Sequence, residues 1–171
     1  MTILISVRKI RKVTKIPFLF WYARHELVHM LLGLVYIYIL GQIWGEINRY
    51  QIFLAVFGSL LIDLDHVLYY IYYGRHDDYS KHVISLFRHG NLKTLFGFLK
   101  DNHKDNTNLM THNIYFVVIF TGLLLASFWY DWKARTIVFG AIVIHLIFDM
   151  VDDIWMKGRL NENWMRWGRN R

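Results

Sequence analysis

At 171 residues the chain has the length of one domain, and its 55% hydrophobic and 18% aromatic content exceeds what a soluble domain of that size carries, so a water-soluble globule is disfavoured. The net charge of +7 comes from basic residues that flank hydrophobic runs, a pattern that suits anionic lipid head groups and gives no expectation of a nucleic-acid partner. With no cysteine no disulfide can form, and any metal must be held by nitrogen and oxygen ligands.

The chain opens with a basic juxtamembrane stretch, residues 1–24, containing Arg8, Lys9, Arg11, Lys12 and Lys15 ahead of IPFLFWY. No small-residue cleavage site follows, so it does not read as a signal peptide. His25-Glu26-Leu27-Val28-His29 then matches HExxH, two imidazoles one helical turn apart with a glutamate that could act as base in a zinc protease. From about Leu27 to Trp44 the chain is apolar enough for a first membrane span of the roughly 20 residues required.

A second span covers about Gln51–Tyr73, and Asp63, Asp65 and His66 lie in its middle. One acidic side chain at the centre of a membrane helix costs roughly 2.5–3.5 kcal/mol, a large part of a typical stability of about 5–15 kcal/mol. A divalent ion offsets such a cost, because forming a good zinc site is worth on the order of 10 kcal/mol and requires ionised carboxylates and neutral imidazoles. Asp63 and His66 share a helix face, whereas Asp65 points elsewhere in a regular helix. Either the helix is distorted there, or Asp65 serves as a supporting residue or general base.

Residues 74–113 form a basic link with Arg75, Lys81, Arg88, Lys93, Lys100 and Lys104. Within it Leu92, Leu95, Phe96, Phe98 and Leu99 recur at helical spacing, which predicts one amphipathic surface helix. His76, Asp77, Asp78, His82 and His89 read as a solvated polar loop, and His103 as similar. Met110-Thr111-His112-Asn113 opens a third span, about Ile114–Tyr130, and a fourth covers about Thr136–Trp155. In the fourth, His145 and Asp149 are one turn apart and Asp152 continues their stripe. The basic tail, residues 157–171, closes the chain.

The expectation is a single all-α, four-span membrane domain with N and C termini inside, by the positive-inside rule. That orientation brings His25, His29 and His112, at helix starts, to the same depth as Asp63–His66 and His145–Asp149 in the returning helices. A weak internal repeat aligns Val56–Leu64 with Val138–Leu146, making Asp63 and His145 equivalent and suggesting two facing hairpins.

These residues carry a resemblance. A His on the first helix (His29), Asp-Leu-Asp-His (Asp63, Asp65, His66) on the second, Thr111-His112 opening the third and His145-Leu-Ile-Phe-Asp149 on the fourth resemble the LexA-regulated, membrane-bound metal-dependent hydrolases and, more remotely, the zinc-dependent phospholipase C and single-strand nuclease superfamily. The match runs from about Glu26 to Asp153. It departs at Ile62, where the family has proline, and at Thr107, where it has a further histidine that His103 or His89 would have to replace. The resemblance implies a helical fold and a metal-dependent phosphoester hydrolase.

The seven candidate ligands are therefore His29, Asp63, Asp65, His66, His112, His145 and Asp149, more than one tetrahedral zinc takes. The expected cofactor is a divalent metal, zinc foremost, as one or two ions that acidify bound water, with Asp65 as catalytic base. The expected substrate is a lipid or lipid-linked phosphate at the cytoplasmic leaflet of the cell membrane. The competing readings are a non-enzymatic ion or proton relay, an assembly subunit whose polar cluster sets helix registry, and the HExxH protease.

Overall fold

The computed structural model describes residues 24–102 and 109–165. The basic N-terminal stretch, His103, Lys104, Thr107 and the end of the tail lie outside the described residues.

The described chain is all helical, as composition and periodicity predict. The helices are α1 (Arg24–Trp44), α2 (Arg49–Leu61), α3 (Leu64–Leu68), a π-helical turn (Tyr69–Tyr73), α4 (Asp78–Arg88), α5 (Leu92–Asn102), α6 (Ile114–Trp129) and α7 (Lys133–Lys157), followed by a 3-10 turn (Glu162–Met165). Each boundary has a local cause. Asn48 and Gln51 form a reciprocal capping box at the start of α2, both bonds 2.9 Å. The Asn113 side chain caps α6 by accepting from the amides of Tyr115 and Phe116 at 3.0 and 3.2 Å. α7 ends at Gly158, whose φ of 71° is the left-handed conformation that closes helices and favours glycine.

α7 packs lengthwise on α2 and α6, and α2 also packs on α1. Small residues permit the close approach. A Cβ on Gly33 would lie 2.8 Å from the carbonyl oxygen of Ala55, so only glycine lets α1 seat on α2 at that point. Gly140 likewise leaves room for the Tyr36 ring, whose hydroxyl donates to the Thr136 carbonyl at 2.9 Å and ties α1 to α7. Ile37, Leu40, Ala55 and Ile137 form one apolar cluster; Ile62, Ile142, Leu146 and Trp164 form a second beneath the polar centre.

Two expectations are corrected. The stretch 51–73 is not one regular helix: it breaks at Ile62–Asp63 and turns by 42°. There the amides of Asp63, Asp65 and His66 bond three residues back, to Leu60, Ile62 and Asp63, at 3.2, 3.1 and 3.0 Å, a tightened turn that re-aims the acidic side chains. The 74–113 link carries two helices, α4 and α5, where one helix and a polar loop were expected. Val83 and Leu95 are their buried anchors, and Tyr79 of α4 lies against Phe98 of α5 at 5.2 Å.

Among the described residues, α1 alone is both long and apolar enough to cross a bilayer, about 31 Å for its 21 residues. The bent pair α2 and α3 with its π turn passes the same test only if taken together, and α6 is apolar but shorter. α7 is long, and Asp149, Asp152, Asp153 and Lys157 in its second half lower its hydropathy. Among the described residues there is thus one candidate membrane span, α1, or two if the bent pair counts as one.

Candidate metal centre

The starts of α1 and α6, the break between α2 and α3, and the middle of α7 converge on one polar centre inside the bundle. His145 projects from the middle of α7 and is fully buried, with its Nδ1 2.6 Å from the Ser59 carbonyl oxygen. A carbonyl only accepts, so the proton sits on Nδ1 and the Nε2 lone pair is offered inward, the tautomer a metal ligand needs. Nε2 lies 3.1 Å from Asp149 Oδ2, one turn on, and 3.5 Å from Asp63 Oδ1. His112 Nε2, at the mouth of α6, lies 3.4 Å from Asp149 Oδ2 and 3.9 Å from Asp63 Oδ1.

These spacings fit an ion. Tetrahedral donors about 2.0–2.1 Å from zinc are about 3.3 Å apart; His112, His145 and Asp149 form one group near that edge length, and Asp63 Oδ1 joins it at 3.5 Å from His145 and 3.9 Å from His112. The accounting of polar atoms agrees: Asp63 Oδ2, His112 Nε2, His145 Nε2 and Asp149 Oδ1 are buried without a hydrogen-bond partner. Orphaned buried groups of this kind are costly and call for an explanation. The only ion-pair partners of Asp63 and Asp149 among the described residues are imidazoles, so no described lysine or arginine neutralises them. The protein therefore has His/Asp groups able to hold a metal ion.

Of the other expected ligands, His29 is fully buried on α1, with Nε2 3.3 Å from Asp149 Oδ1 and its ring stacked on His145 at 3.6 Å. It groups with Asp63 and His145. His66 groups with Asp63 and His112, its ring 5.1 Å from that of His112.

Asp65 has a different place from the one expected. It belongs to none of these groups among the described residues, and both its oxygens are engaged elsewhere. Oδ2 accepts from the backbone amide and hydroxyl of Thr111 at 2.7 and 2.8 Å, and Oδ1 accepts from the Tyr73 hydroxyl. The helix break and the supporting role, offered as alternatives on sequence grounds, occur together: the bend turns Asp65 onto the Thr111–His112 segment, which it anchors through charge-assisted bonds. Tyr73 also receives the Met110 amide at 3.1 Å. Burial by itself depresses the imidazole of His112; the carboxylates of Asp149 and Asp65 beside it outweigh that and raise it to about 9.

His89 is no substitute ligand: it is exposed and its Nδ1 lies 2.7 Å from the Ser85 carbonyl oxygen. His82 lies against Phe98. Asp152 is absent from the ion groups formed by the described residues.

Two contributors lie outside the seven expected ligands, the first of them read from sequence only under the HExxH protease alternative. His25 brings its Nε2 to 3.0 Å from that of His29 and 3.6 Å from Asp149 Oδ1; its one-turn spacing from His29 was the available signal. Asn163, in the 3-10 turn, donates to the Leu109 and His112 carbonyls at 3.1 and 2.6 Å, while Trp164 Nε1 donates to Asp153 at 2.7 Å. Nothing in the sequence spacing announces that clamp.

No family model matches the chain, and neither the curated proteins nor the solved structures include a match.

Proposed function

We propose that the protein is a multi-pass membrane hydrolase that uses a divalent metal, zinc foremost, to cleave a phosphoester of a lipid or lipid-linked substrate at the cytoplasmic leaflet. The carrying observation is that the buried Nε2 atoms of His112 and His145, neither with a hydrogen-bond partner, converge with carboxylate oxygens of Asp149 and Asp63 at 3.1–3.9 Å, near the spacing of a metal's coordination shell. The ordered motifs that resemble the LexA-regulated membrane hydrolases supply the reaction class.

A membrane setting is supported by an inverted distribution of polarity. The centre holds imidazoles and carboxylates, while Leu31, Val35, Tyr38 and Ile43 of α1, Val118 and Leu125 of α6, and Val151 and Trp155 of α7 are exposed. Apolar surface on several helices at once is costly in water and suited to lipid. At the end of the bundle away from the metal centre, Trp129, Tyr130 and Trp132 are exposed, Lys133 stacks over Trp44 at 5.6 Å and Arg135 over Trp132 at 4.2 Å, an arrangement suited to an interfacial belt.

An ion held here supplies Lewis acidity toward a phosphoryl oxygen and makes water a nucleophile near neutral pH. The chain's own residues prepare for it. Ser59 fixes the His145 tautomer, Asp65 holds the His112 turn through Thr111, and Asn163 holds it through the Leu109 and His112 carbonyls. With both oxygens engaged, Asp65 serves as a positioning residue in place of the base assigned to it from sequence. The HExxH protease reading would use His25, His29 and Asp149 alone and leave Asp63, His112 and His145 without a part.

The test uses purified full-length protein in lipid nanodiscs, loaded with Zn(II) and offered fluorescent phospholipids. Hydrolysis by the wild type and its loss in His145→Ala is the expected result. Metal-free protein, or equal turnover by His145→Ala, overturns the proposal. Because the chain lacks cysteine, single cysteines at Lys93 and Lys133 report topology, and they should label from opposite faces of the membrane.

A further inference from the structure

We propose that the centre holds a second divalent cation, bound by His25, His29 and Asp149 Oδ1, so that Asp149 bridges two ions and the His25 ion is the one open to the substrate phosphoryl group. The inference rests on the metal-dependent reading above and goes beyond it in ligand set and division of labour.

The two oxygens of Asp149 face different donor sets. Oδ2 is within 3.4 Å of His112 Nε2 and 3.1 Å of His145 Nε2. Oδ1 is 3.3 Å from His29 Nε2 and 3.6 Å from His25 Nε2, and those two nitrogens are 3.0 Å apart. Three donors therefore form a second triangle whose edges also match the roughly 3.3 Å expected around a tetrahedral ion. A carboxylate that gives one oxygen to each of two ions is the recurring bridge of two-metal hydrolytic sites, whose ions are about 3.5–4 Å apart.

A second observation points the same way. Asp149 is 8% exposed and its Oδ1 has no hydrogen-bond partner, although two imidazole nitrogens lie beside it. The His29 ring is stacked on His145 at 3.6 Å and 15° between planes.

The two shells differ in closure. The His112, His145 and Asp149 group has Asp63 Oδ1 as a further donor 3.5 Å from His145 and 3.9 Å from His112, whereas the His25, His29 and Asp149 group is given three donors by the described residues, the number catalytic zinc sites use. His25 is also the most accessible ligand, its side chain 30% exposed against 0% for His29. With two dications against the charges of Asp63 and Asp149, the centre carries surplus positive charge. That surplus would receive an anionic phosphoester.

The experiment measures metal by elemental mass spectrometry on full-length protein in nanodiscs after Zn(II) loading and removal of free ion, with a parallel Mn(II) loading read by electron paramagnetic resonance. The wild type should hold two equivalents and give an exchange-coupled Mn(II) signal. His25→Ala should hold one equivalent, with the signal of an isolated ion and unchanged helical circular dichroism; His25→Gln, which keeps the polar bulk, guards against a folding artefact and should behave alike. One equivalent in both wild type and the His25 variants overturns the second site and leaves the hydrolase reading standing. Two equivalents retained without His25, or an uncoupled signal at two equivalents, also overturns it. No bound metal in the wild type sinks both.

Discussion

Asp149→Asn is the sharpest single perturbation, because the carboxylate it neutralises contacts three buried imidazoles at 3.1–3.4 Å. The change keeps the shape of the side chain and removes its charge, so the ion-free fold should persist. Loss of a residue that merely supports a ligand costs about 10–100-fold in metal affinity; loss of a direct, charged ligand should cost at least about 100-fold. At a free Zn(II) concentration about 100 times the wild-type dissociation constant, binding stabilises the wild type by about 2.7 kcal/mol. The same concentration would only match the constant of the variant, and the gain falls to about 0.4 kcal/mol. For a chain of this size about 1 kcal/mol corresponds to about 2–4 °C. Zn(II) should therefore raise the wild-type melting temperature by about 5–11 °C and that of the variant by less than about 2 °C. Thermal unfolding followed by tryptophan fluorescence in detergent reads the difference, with Asp78→Asn, on the surface of α4, as the unaffected control. An Asp149→Asn shift equal to that of the wild type would refute the assignment of Asp149 as a ligand.

Asp65→Asn should leave metal stoichiometry intact and weaken affinity about 10–100-fold, since it loosens the Thr111–His112 turn without removing a donor; a Zn(II) titration checks this, and complete loss of binding would make Asp65 a ligand after all. Asn163→Ala strands the Leu109 and His112 carbonyls and should cost about 1–3 kcal/mol in thermal stability, with weaker metal binding; an unchanged melting curve would remove the clamp from the account. The pH dependence follows from His112. Raised to about 9 in the ion-free protein, it carries a proton at neutral pH that a metal must displace. Affinity should therefore fall as pH drops from about 9, with proton release on Zn(II) loading measurable in weak buffer at neutral pH; loading without proton release would contradict this.

The helical class, the position of most helix boundaries and the presence of a His/Asp cluster able to hold a metal were legible in the sequence. Apolar runs of helical length mark the helices, and the structure closes them with caps at Asn48, Asn113 and Gly158. The one-turn spacing of His145 and Asp149 places both on a single face whatever the rest of the chain does. Asp63 and His66, in an apolar run, announced a buried polar site because such groups are expensive without a partner. The bend at Ile62–Asp63 was not legible, since it depends on where α6 arrives: Asp65 leaves the helix pattern because Thr111, 46 positions later, offers an amide and a hydroxyl to its carboxylate. The helicity of 78–88 was missed for a related reason, as polar residues hide the Val83 contact that anchors α4.

Local sequence, then, decided which residues could bind a metal and that they would ride on helices, because propensity, capping and side-chain chemistry act over a few residues. The tertiary structure decided which of them meet. Gly33, Gly58 and Gly140 let α1, α2 and α7 come close enough for the Ser59 carbonyl to orient His145. That same approach gives one oxygen of Asp149 to His112 and His145 and the other to His25 and His29. Such distances arise from packing between helices far apart in the chain, and no spacing along a single helix encodes them.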